Sequence, residues 1–88
     1  MRERQNQAFV VLTLCRLLYT LDLGAVASKP AAARWAQQAL GDGWAALIEG
    51  ALAGQHAPGA IAPWEEQQTL VLIDHVTERF RQRLPSDA

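Results

Sequence analysis

Apolar residues fall in four blocks along the chain, and within each block the spacing is helical. Between Gln5 and Leu23, Val11, Leu14, Leu18 and Leu21 lie at i, i+3, i+7 and i+10, which predicts one buried stripe on an α-helix. Phe9, Leu12, Leu17 and Tyr19 widen that stripe until the helix is apolar nearly all round, the pattern of an element with neighbours on several sides. What remains polar is narrow: Thr13, Arg16 and Thr20, again at i, i+3 and i+7. Gly24 suits the left-handed position that closes a helix.

A second helix is predicted from Ser28 to Leu40. The Ser28 hydroxyl is placed to accept a first-turn backbone N–H, and Pro30 is tolerated because that turn donates no intrahelical bond. Ala32, Trp35, Ala36 and Ala39 give it an apolar face with one large anchor. Gly41 and Gly43 bracket a turn into a short third helix, about Trp44 to Ala53, that carries Trp44, Leu47, Ile48 and Leu52. The Pro, Gly and Ala-rich run from Gln55 to Pro63 is the expected flexible linker. The fourth helix runs from Trp64 to about Leu84 and stops at Pro85. Leu70, Ile73, Phe80 and Leu84 are its expected inner stripe. Glu65 and Glu66 in its first turn, and Arg79, Arg81 and Arg83 near its end, complement the helix dipole. With no strand signal and no repeat, residues 1–88 form one domain: all-α, a small antiparallel helical bundle of about four helices.

Composition agrees. Of 88 residues half are hydrophobic, but 16 are Ala and 12 are Leu, strong helix formers, against 12 Val, Ile and Thr together. A net charge of -1 supplies no basic field for nucleic acid. Cys15 stands alone, which rules out an intrachain disulfide and points to an inert buried thiol. His56 and His75 lack metal-ligand spacing, and a reducing, cytoplasmic setting is expected. The run AFVVLTLC after MRERQNQ superficially resembles a secretion signal. Arg16 follows it at once, and Leu14 stands where a small residue would precede Cys15, so no signal and no membrane span are expected.

Candidate chemistry centres on Lys29, the one lysine of the chain, in the first turn of the second helix beside Ser28. A helix start already carries about +0.5 of an elementary charge and free N–H groups, so a lysine there describes an anion site. Arg16, thirteen residues earlier, could be brought to the same point by a hairpin turning at Gly24, with a planar fork suited to phosphate. On spacing alone the plainer alternative stands: Thr13, Arg16 and Thr20 as a solvated stripe, and Lys29 as an ordinary surface charge. Elsewhere, His75, Glu78 and Arg79 share a face and are read as a surface ion-pair cluster. Trp35, Trp44 and Trp64 are read as core anchors rather than stacking platforms.

The stretch VLTLCRLLYTLDLGAVASKPAAARWAQQAL, Val11 to Leu40, resembles the C-terminal helical domain of the aminoglycoside adenylyltransferases that modify streptomycin and spectinomycin. The family pattern reads approximately LTLxRxxYTxxTGxxxSKxxAAxWA. Leu12, Thr13, Leu14, Arg16, Tyr19, Thr20, Gly24, Ser28, Lys29, Ala32, Trp35 and Ala36 match it without a gap. The resemblance implies that Arg16 and Lys29 contact the phosphates of ATP across a domain cleft, which turns the balance towards the anion site. It places the catalytic carboxylates, a D-x-D pair that holds Mg²⁺, on an N-terminal nucleotidyltransferase domain. No D-x-D occurs in these 88 residues, so the chain is expected to be inactive alone and to work with such a domain in cis or in trans. The acidic residues with which the family meets the drug's amines fall at Asn6, with Glu3 one turn earlier; neutral Asn6 weakens the case for aminoglycoside binding. The other expectation is a non-enzymatic helical binding or dimerisation module, a weak homodimer that covers the first helix.

Overall fold

A computed structural model describes residues 2–84 of the chain. Four helices follow in order: α1 (Arg4–Leu23), α2 (Lys29–Ala39), α3 (Asp42–Gly54) and α4 (Pro63–Arg83). Among the described residues the one β feature is an isolated antiparallel bridge between Glu3 and Ala60. The protein is therefore the small all-α bundle that the periodicities predict. Pro85, the expected stop of the last helix, lies outside the described residues.

α1 is the hub, in contact with each of the other three helices. Ala8, Val11, Leu12, Cys15 and Leu18 are fully or almost fully buried on it, while Leu14 and Leu21 of the expected stripe are only half-buried. The burial is rotated towards Ala8 and Cys15, and α2 adds to the same core a buried face of small residues, Ala32, Ala33 and Ala36. Helices that meet over small side chains approach closely. Leu47, Ile48 and Ala51 of α3 complete this core. Desolvation pushes the Cys15 thiol up to about 12, so it is an inert packing group at neutral pH, as expected. At the end of α1, Gly24 adopts φ 67°, and its N–H donates to the Thr20 carbonyl at 2.9 Å.

α4 departs from the sequence reading. Its buried residues are Glu65, Thr69, Leu72 and Val76, with Phe80 packed against the core; Leu70 is 47% and Leu84 65% exposed, and Ile73 is half-buried. The cause is a set of polar pins to α1. Arg4 meets Glu65 at 3.3 Å, Gln7 Nε2 donates to Thr69 Oγ1 at 3.1 Å, and Arg79 donates to Asp22 at 2.6 Å. Thr69 Oγ1 in turn donates to the Glu65 carbonyl at 2.6 Å. Buried polar groups that are hydrogen-bonded cost little, whereas unpaired ones are expensive, so these contacts select which side of α4 turns inward. The same pins show that α1 and α4 run side by side in the same direction. The expected cluster of His75, Glu78 and Arg79 does not form: Arg79 goes to Asp22, Glu78 to Arg81 at 3.6 Å, and His75 lies half-buried beside Trp44, ring centroids 6.2 Å apart.

The segment expected to be a loose linker is held to the start of the chain. Arg4 N–H donates to the Gly59 carbonyl and Ile61 N–H to the Arg2 carbonyl, each at 2.8 Å. Of the three tryptophans, Trp35 and Trp44 pack against the core as anchors, but Trp64 is half exposed. The rotation of α4 has a direct consequence for stability. Leu72→Ala is expected to cost about 2–4 kcal/mol through the cavity it leaves. Leu70→Ala, two positions away, is expected to cost no more than about 0.5 kcal/mol. Urea unfolding followed by circular dichroism distinguishes them; equal losses would show that the inner side of α4 is the Leu70 side.

Candidate functional site

The outward side of α1 carries Asn6, Phe9, Thr13, Arg16 and Thr20, at i, i+3, i+7, i+10 and i+14. The chain leaves α1 at Gly24 and folds back along this side before α2 begins. Two side chains of α1 hold the returning segment: Thr20 Oγ1 donates to the Ala25 carbonyl at 2.9 Å, and Arg16 Nε donates to the Ala27 carbonyl at 3.2 Å. The polar stripe is thus neither free nor merely solvated. It is the fastening for the loop that sets the start of α2.

Ser28 then caps α2, its Oγ accepting from Ala31 N–H at 3.3 Å. That bond thins the expected row of free amides. Pro30 has no N–H and Ala31 is engaged, so within the first three positions of α2 the Lys29 amide is what remains for a ligand. The Lys29 ammonium lies over the Phe9 ring, 5.4 Å from its centroid, a contact worth about 0.5–1 kcal/mol at such a site.

Arg16 and Lys29 therefore stand on the same stretch of the α1–α2 junction but line adjoining clefts. Arg16, with Thr13, Leu17, Thr20, Val26 and Ala27, lines one of about 260 Å³. Lys29, with Gln5, Phe9, Leu12, Gln55 and His56, lines the other, of about 180 Å³. The guanidinium is fastened through Nε, and among the described residues its two terminal nitrogens meet no acceptor. Among the described residues no carboxylate lines either cleft, so both present positive charge without a neighbouring counter-ion. Asn6 is exposed on the first turn of α1, and Glu3 is exposed just before it, its backbone paired with Ala60. Neither lines the clefts of Arg16 and Lys29.

The sequence did not point to Gln5, Phe9 or His56 as neighbours of Lys29. His56 comes from the connection after α3, and only the packing of α3 on α1, which sets Gly54 against Arg4, carries it there. A Cβ on Gly54 would stand 2.9 Å from Arg4 Cγ, so glycine is what allows that approach. Among the described residues no three of His, Cys, Asp and Glu are grouped to hold a metal ion, and no helix is long and apolar enough to cross a membrane.

Neither a curated protein nor a solved structure matches the chain. The family model of the aminoglycoside adenylyltransferase C-terminal domain does, over residues 2–80, a span that holds all four helices except the last turn of α4. The chain belongs to that family.

Proposed function

We propose that this helical domain supplies the phosphate-binding half of a nucleotidyl-transfer site, with Arg16 and Lys29 as the residues that meet the triphosphate of ATP. The observation that carries the reading is the pair of adjoining, carboxylate-free clefts at the α1–α2 junction, one lined by each cation. Arg16, fastened at Nε, would offer its terminal N–H groups to phosphate oxygens as a fork. Lys29 would leave the Phe9 ring, a weak contact to give up, and follow the phosphates as a mobile charge. His56, in the Lys29 cleft, adds a further donor.

The metal chemistry belongs elsewhere in this reading. Nucleotidyl transfer requires a divalent ion on the phosphates and a base near the attacking hydroxyl. A partner nucleotidyltransferase domain, in cis or in trans, would bring both, and the outward side of α1 is where it would close. Asn6 and Glu3 lie towards one end of that side and would meet the second substrate. With one exposed carboxylate and one neutral amide, they make a poorer seat for a polycationic aminoglycoside than for a less charged hydroxyl compound.

Two outcomes are expected. Titrating the purified chain with ATP should move the amide signals of Ser28 to Ala31 with a Kd on the order of millimolar, since a few charge-assisted bonds retain about 4 kcal/mol after association costs. Binding should weaken with salt. Arg16→Ala and Lys29→Ala should each weaken it severalfold. Arg34→Ala should not, because Arg34 is already paired with Glu49 at 2.6 Å on the surface of α2 and α3. Shifts that ignore Ser28 to Ala31, or an Arg34 loss as large as the Lys29 loss, would reduce the site to general surface charge. Separately, the chain alone should transfer no AMP to streptomycin or spectinomycin from Mg-ATP; transfer that depends on this chain alone would overturn the assignment of the metal chemistry to a partner domain.

A further inference from the structure

The rotation of α4 leaves a second apolar stripe outside the core. Leu70, Ile73 and Leu84 fall at i, i+3 and i+14, with Thr77 between, about a quarter-turn from the buried Thr69, Leu72 and Val76. α3 lies on the opposite flank of α4, where Trp44 meets His75, and α2 does not touch α4. α1 has a matching flank. Val10, Leu14, Leu17 and Leu21 lie to the side of its buried Ala8, Leu12 and Cys15 that is turned away from α2 and α3; Leu17 is 42% exposed and the other three are half-buried. Because α1 and α4 run in parallel, pinned Arg4 to Glu65, Gln7 to Thr69 and Asp22 to Arg79, the two flanks form one continuous apolar face along the pair. This face is distinct from the outward side of α1 that carries Arg16, although Leu17 borders both.

The charges at its two ends differ in sign. Among the described residues, the end where α1 and α4 begin has Glu3, Glu65 and Glu66 against Arg2 and Arg4. The end where they finish has Arg79, Arg81 and Arg83 against Asp22 and Glu78. A surface that is apolar in the middle, acidic at one end and basic at the other is complementary to itself when inverted. A twofold axis at right angles to the helices achieves that inversion, and an isologous contact of this kind closes as a dimer.

We propose that the α1–α4 face is a homodimer interface, closed by a second copy of this chain in antiparallel orientation. With the axis passing near Ile73 and Asp74, Glu66 faces Arg81 of the second copy, and Leu70 packs near its Thr77. Glu66 and Arg81 are available for this. Among the described residues each holds one loose intramolecular partner, Arg2 at 3.5 Å and Glu78 at 3.6 Å, and the Arg81 side chain is 73% exposed. The proposal does not depend on nucleotide binding, since neither Arg16 nor Lys29 belongs to the α1–α4 face.

Sedimentation velocity over a range of concentrations tests it. The wild-type chain should move from monomer to dimer as concentration rises, and Leu70→Glu should raise the dissociation constant at least tenfold with helix content unchanged. Glu66→Arg and Arg81→Glu should each weaken the dimer, and the double variant should recover most of the loss. Ile73→Cys, next to the axis, should form a disulfide-linked dimer under mild oxidation, while Ala39→Cys on α2 should not; buried Cys15 contributes no background. A strictly monomeric wild type, or a dimer indifferent to Leu70→Glu, would overturn the interface. A charge-swapped double variant no better than the single ones, or an Ala39→Cys chain that cross-links as fast as Ile73→Cys, would overturn the antiparallel arrangement.

Discussion

In a chain of 88 residues one helix has to serve as the common wall for all the others, and α1 does so. A domain this small buries a limited share of its surface, so its core must be made where several elements meet. Around α1 the small residues Ala8 and Cys15 and the alanines of α2 share one core with Leu12, Leu18, Leu47 and Ile48, all fully or almost fully buried. That arrangement leaves the outward side of α1 to the chain that returns from Gly24. Phe9, Thr13, Arg16 and Thr20 stand there, and the functional geometry follows from what they hold.

What they hold is the segment that returns from Gly24. A helix that ends in a left-handed glycine can send the chain back along its own side, but nothing in the glycine decides where the next helix begins. Thr20 and Arg16 do, through the carbonyls of Ala25 and Ala27. Ser28 then caps α2, and Lys29 follows above Phe9. The motif that marks the family in this sequence is in this sense one device: a fastening, a cap and two cations, placed by a single side of a single helix.

Much of this was legible before the structure. The four helices, Gly24 as a C-cap, Ser28 as an N-cap and the inert Cys15 all follow from local rules that tertiary packing did not override. The inner side of α4 was not legible, because two apolar stripes a quarter-turn apart compete on it. The winner is chosen by Arg4, Gln7 and Asp22 on a helix about sixty positions away. The same limit applies to the site. The proximity of His56 and Gln5 to Lys29 depends on the α3–α1 approach at Gly54, a long-range contact with no local signature. Spacing placed Arg16 and Lys29 at one junction, but the two adjoining clefts, and the loss of the Ala31 amide to the Ser28 cap, arise only in the folded chain.

The central claim is that the outward side of α1 sets the start of α2 through Arg16 and Thr20. Amide hydrogen exchange on an Arg16→Ala/Thr20→Val chain tests it most directly, because local and global opening are read separately. The account predicts that amides from Ala31 to Ala33 lose protection by about tenfold, while those of Leu47, Ile48 and Leu72 keep the wild-type rate. Unchanged protection at Ala31 to Ala33, or an equal loss throughout the core, would contradict it.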